Sequence, residues 1–151
     1  MKKQGFTVIE LLVTLAILGV LVMVAMPLAE VTIRRNKESE LRTSLRQVRH
    51  ALDAYKQAYE DGRIAKVAGA SGYPPNLDVL VNGVRDVSQP KTTYMYFLRR
   101  IPRDPFALGS ATWGVRSYAS TAQEPQAGAD VFDVYSLSNE VGLNGIVYRD
   151  W

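Results

Sequence analysis

One carboxylate in this chain stands where a carboxylate is costly. Glu10 precedes a run from Leu11 to Ala29 that holds 19 residues and no charge. An acidic side chain in hydrocarbon costs on the order of 3 kcal/mol, so a residue so placed finds a partner or reaches the headgroups near a helix end. Its chemistry is therefore ion pairing. Little else points to turnover. His50 is the single histidine, about 200° around a helix from Val48, with no acid-base or metal-ligand spacing beside it. Cysteine is absent, which removes a disulfide framework, a thiolate metal site and a cysteine nucleophile. No Gly-x-Ser-x-Gly and no phosphate-binding loop occurs. Arg99, Arg100 and Arg103 invite a phosphate, yet Pro102 and Pro105 make a rigid surface turn the stronger account, so no nucleic-acid partner is expected. The chain is expected not to be an enzyme.

The elements that must position Glu10 follow from the apolar run. About 20 helical residues at ~1.5 Å each cross a hydrocarbon core of roughly 30 Å, so Leu11–Ala29 can span a bilayer. A cleavable secretory signal fits the basic start at Lys2 and Lys3 but not the rest. Pro27 occupies a position where a small residue is wanted before a cut at Ala29, and Glu10 interrupts the pattern. A buried soluble helix would need more protein around it than the remaining residues supply. The basic flanks, Lys2 and Lys3 against Arg34, Arg35 and Lys37, do not fix orientation. Pro27 removes a helix hydrogen bond, so a kink or interruption is expected there.

Beyond Glu30, the residues Leu41, Leu45, Val48, Leu52, Tyr55 and Tyr59 recur at helical spacing and predict one buried stripe, ending near Asp61-Gly62. Residues 62–75 read as a loop and 76–81 as a short helical turn. Three β candidates follow, at 114–120, 131–137 and 145–151. The fold class is α+β: a long N-terminal helix, transmembrane in its first half and amphipathic in its second, packed on a small C-terminal antiparallel sheet. The divisions are 1–5, 6–29 and 30–151. Formal net charge is +3, and loss of a leader carrying Lys2 and Lys3 would leave 16 basic against 15 acidic residues, so basicity argues for no polyanionic partner.

The run Lys2-Lys3-Gln4-Gly5-Phe6-Thr7-Val8-Ile9-Glu10-Leu11-Leu12-Val13 resembles the class III signal of type IV pilins and type II secretion pseudopilins. The resemblance implies that residues 1–5 are a leader, that a prepilin peptidase cuts between Gly5 and Phe6, and that the new amine of Phe6 is methylated. It also implies that Glu10 sets assembly register. Cleavage would create a cation at Phe6 able to pair with Glu10 of a neighbouring subunit, neutralising two costly charges and fixing axial register. A proline at the place of Pro27 is common in that family.

Tyr73-Pro74-Pro75 with Leu77 and Leu80, Ile101-Pro102-Arg103-Asp104-Pro105-Phe106, and Phe132 to Leu137 with Trp151 resemble landmarks of the major pseudopilin of type II secretion. By that resemblance the chain is a pseudopilin that polymerises into a periplasmic fibre driving protein export. Its partners would be further copies, other pseudopilins or minor pilins, the prepilin peptidase, an inner-membrane assembly platform with its ATPase, and lipid before assembly. It would be a single-pass bacterial inner-membrane protein with a periplasmic C-terminal domain. A pilus subunit for adhesion, motility or DNA uptake shares the same signal, and a membrane-tethered binding domain is a further alternative. Major pseudopilins typically hold calcium between their last strands, but residues 138–144 here supply only Asn139, Glu140 and Asn144, with Asp130, Asp133 and Asp150 elsewhere. No metal site or cofactor is assigned.

Overall fold

The computed structural model describes residue 5, residues 7–107, residue 109 and residues 113–151. Helix α1 (Val8–Glu60) runs for 53 residues and carries Pro27 inside it. The expected interruption there is not seen. The helix continues through Pro27, because the bond and the crowding that one proline costs do not end a helix whose turns on both sides keep their own hydrogen bonds. Two compact units divide the chain, Met1–Asn36 and Lys37–Trp151.

In the first unit, every apolar side chain described from Val8 to Met23 is exposed, and an 18-residue window of α1 long and apolar enough to cross a membrane has none of its residues buried. Hydroxyls on this segment are satisfied within the helix: Thr14 Oγ1 donates to Leu11 O at 2.9 Å, and Thr32 Oγ1 to Leu28 O at 2.9 Å. Such back-bonding suits a helix surrounded by hydrocarbon, where no water can accept the proton.

The second unit is a head built on the later turns of α1. The predicted stripe is buried: Leu41, Leu45, Val48, Leu52 and Tyr55 join Leu80, Leu98, Trp113, Val131, Val134 and Tyr148 in one core. Helix α2 (Asp78–Asn82) fills the predicted helical turn and contributes Leu80. Strands β1 (Val84–Arg85) and β2 (Tyr94–Met95) pair antiparallel, as do β3 (Gly114–Arg116) and β4 (Asp133–Tyr135). The single expected sheet is thus two separate two-stranded ladders. The third β candidate, 145–151, is corrected. Val147 makes one isolated bridge with Val141, and Tyr148–Asp150 form a 3-10 turn that tucks the Tyr148 ring against Phe106 at 4.0 Å between centroids. Burying that aromatic ring outweighs the β-propensity of the segment.

Candidate functional site

Glu10 opens α1. Its Oε2 accepts hydrogen bonds from the Thr7 backbone N–H and the Thr7 Oγ1, both at 2.8 Å, while Thr7 Oγ1 accepts from the Glu10 N–H at 3.3 Å. This reciprocal pair is a capping box, and it satisfies donors that a helix start leaves unpaired. Thr7 O then accepts from Leu11 N at 3.2 Å as the first helical turn closes. Thr7 is a functional residue that the charge-based reading passes over. The signal for it, Thr-x-x-Glu just ahead of an apolar run, is present in the sequence.

Gly5 lies exposed, two positions ahead of Thr7, with nothing within 4 Å of a Cβ added to it. Phe6, expected as the residue after the cut, lies outside the described residues, as do Lys2 and Lys3. Pro27 lies inside α1, on the exposed apolar segment. The arrangement therefore places an accessible Gly5 immediately before a capped helix whose only carboxylate near its start is Glu10.

His50 is exposed. Arg99, Arg100 and Arg103 are exposed on a turn fixed from beneath: Trp113 Nε1 donates to Pro102 O at 2.8 Å, and buried Asp104 accepts from Ser136 Oγ at 2.6 Å and Phe106 N–H at 2.8 Å. This is the rigid surface turn that the two prolines predict.

Three of the residues that could hold calcium, Asp130, Asp133 and Asn144, are engaged by other partners. Asp133 bridges two guanidiniums, Arg49 Nε at 2.8 Å and Arg116 at 3.3 Å. Asp130 accepts from Ser117 Oγ at 2.6 Å and Tyr118 N–H at 2.9 Å. Burial tends to raise the pKa of Asp130, but bonds from the Ser117 and Ser71 side chains and the Tyr118 amide outweigh it and hold the carboxyl below its usual range. Asn144 Oδ1 accepts from Ile146 N–H at 3.1 Å. Among the described residues no group of three His, Asp or Glu stands where it could hold a metal ion. Calcium needs six to eight oxygens, several of them anionic, and these residues do not fit it.

The structure instead brings in Glu38, a residue with no assigned role in the sequence reading. Its side chain is 5% exposed. Its Oε1 accepts from the Leu143 N–H at 2.7 Å and from the Tyr148 hydroxyl at 3.1 Å. A carboxylate three positions before Leu41, on the buried stripe, was the available signal.

Residues 1–26 match the family model of the prokaryotic N-terminal methylation motif. No curated protein and no solved structure gave a match to the chain. The matched segment contains Gly5, Phe6, Glu10 and the first part of the exposed apolar helix. That motif indicates the type IV pilin-like family, and a long apolar-to-amphipathic helix leading into a small α+β head is the fold such a protein has.

Proposed function

We propose that this protein is a pseudopilin subunit that polymerises into the periplasmic fibre of a type II secretion system. The observation that carries the reading is the match of residues 1–26 to the methylation motif, on a helix whose apolar window has none of its described residues buried. A membrane covers such a helix before assembly, and other copies of the helix cover it in a fibre. The landmarks from Tyr73 to Trp151 that resemble the major pseudopilin favour secretion over a surface pilus.

In this reading the chain is the substrate of a prepilin peptidase, which hydrolyses the Gly5–Phe6 bond, and is not itself a catalyst. Before assembly the processed subunit sits in the inner membrane with its head in the periplasm. Glu10 of one copy pairs with the Phe6 amine of the next, and an assembly platform with its ATPase extracts the helix.

The test is intact-mass and N-terminal peptide analysis of the protein from its native membrane, together with a deletion strain. A chain beginning at a methylated Phe6, and loss of protein export on deletion, are the expected results. Loss of surface fibres with export intact would reassign the protein to a pilus. A chain beginning at Met1 or beyond Ala29 would remove the pairing cation and with it the assembly mechanism.

A further inference from the structure

The last turns of the head have little of their own to hold them. Val141 and Val147 form one bridge, Gly142 N–H donates to Ile146 O at 2.8 Å, and Tyr148 N–H to Glu140 O at 3.0 Å. Val141, Leu143 and Ile146 are all more than 40% exposed, so by packing the hairpin is fastened chiefly at its far end, through the buried Tyr148 ring against Phe106. At its tip the fastening comes from α1. One Glu38 oxygen takes a backbone donor 105 positions away and a hydroxyl donor 110 positions away.

A positive charge completes the arrangement. Arg42, one turn on from Glu38, places its guanidinium 3.9 Å from Glu38 Oε2 and 4.3 Å from the centre of the Trp151 ring. Trp151 Nε1 in turn donates to Ile146 O at 3.3 Å. The contacts form a circuit from Glu38 to the hairpin at Leu143, and from Arg42 through Trp151 back to the hairpin at Ile146.

We propose that this Glu38–Arg42 clamp closes the C-terminal hairpin in place of a divalent cation, so that the head of this protein is ordered independently of calcium. The donor set argues for it directly. An N–H and an O–H aimed at Glu38 Oε1 are donors that occupy that oxygen without a metal, and Oε2 faces a guanidinium that a cation would have to displace. The guanidinium already supplies the positive charge that a metal would bring to Glu38. Of the other oxygens that could assist, those of Asn144, Asp130 and Asp133 already accept hydrogen bonds. The inference concerns the head alone and does not depend on which fibre the subunit builds.

The experiment uses the full chain in detergent. Amide exchange at Leu143 and the thermal midpoint of the head are measured with a calcium chelator and with excess calcium chloride, for the native chain and for Glu38→Gln and Tyr148→Phe. Tyr148→Phe keeps the buried ring and removes one donor, so it serves if Glu38→Gln folds poorly. The native chain should give the same midpoint and the same exchange in chelator and in calcium. Glu38→Gln should speed exchange at Leu143 roughly 10- to 100-fold, the loss expected for a charge-assisted bond, and calcium should not restore it. Tyr148→Phe should give a smaller acceleration at the same amide. A native midpoint that falls in chelator, or Leu143 exchange unchanged in both variants, overturns the proposal.

Discussion

Glu10 has two possible duties that one carboxylate can serve in turn. Within a subunit it caps its own helix through Thr7; in the proposed fibre it accepts the Phe6 cation of a neighbour. The capping box alone is worth about 0.5–2 kcal/mol, enough to help order the first turn but not to fix register between subunits. Glutamine can also cap, since its side-chain oxygen accepts the same bonds, but it cannot pair with a cation. Glu10→Ala is expected to leave insertion and cleavage intact and to abolish or slow assembly. Glu10→Gln should behave like Glu10→Ala if charge pairing sets register, and like the native chain if capping is what matters. Sedimentation of fibres from each variant separates these outcomes. Both partners of the box lie within one turn, which is why the pattern is legible in the sequence. Glu38 is the opposite case: its donors come from residues 143 and 148, and only the folded head shows that a carboxylate on the apolar stripe is satisfied.

At the scale of elements, the stripe on α1 was legible because helical periodicity is local, and each of Leu41, Leu45, Val48 and Leu52 is at most 3% exposed. Leu52→Ala is expected to lower head stability by about 2–5 kcal/mol, the usual cost of a truncated buried leucine. Leu18→Ala, on the exposed apolar segment, should change head stability by less than about 0.5 kcal/mol. Chemical denaturation in detergent, followed by tryptophan fluorescence, measures both. The strands were less legible, since two or three ladder pairs leave almost no alternation to read. What defines β3–β4 is a cross-strand fit. Gly114 lies opposite Tyr135, and a Cβ at Gly114 would overlap the Tyr135 ring, which also carries Arg149 at 5.5 Å from its centre. Gly114→Ala is accordingly expected to destabilise the head by about 1–3 kcal/mol, as overpacking does, while the same change at Gly19, in open space on the first unit's helix, should leave the head's midpoint unchanged. Thermal midpoints of the two variants make the comparison.

The whole molecule joins two units that depend on different solvents, and acid should separate them. In the proposed function the first unit is held by hydrocarbon around an exposed apolar helix, a contribution that does not titrate. The head depends partly on carboxylates held in their ionised form. Asp86, 1% exposed, accepts from Ser88 Oγ at 2.6 Å and from Arg63 at 2.7 Å; the Ser88 hydroxyl first, and Arg63 second, hold its carboxyl below the usual range. Asp130 is shifted the same way by its hydrogen bonds. A folded pKa below the unfolded value of about 3.9 means the native state keeps the anion longer than the unfolded state does. That contribution is complete above the unfolded pKa and disappears as pH falls through the lower folded pKa. Below about pH 4 the head should therefore lose stability while the detergent-covered helix persists. Both tryptophans, Trp113 and Trp151, lie in the head, so their fluorescence reports its unfolding alone. Far-UV circular dichroism should retain much of its helical signal through the same acid transition. Asp86→Asn should weaken the head at neutral pH and make its stability fall less between pH 7 and pH 3, because one of the groups that titrates is gone. A single acid transition in which fluorescence and helical signal collapse together would show that the two units are one cooperative body, with α1 transmitting the loss from head to anchor.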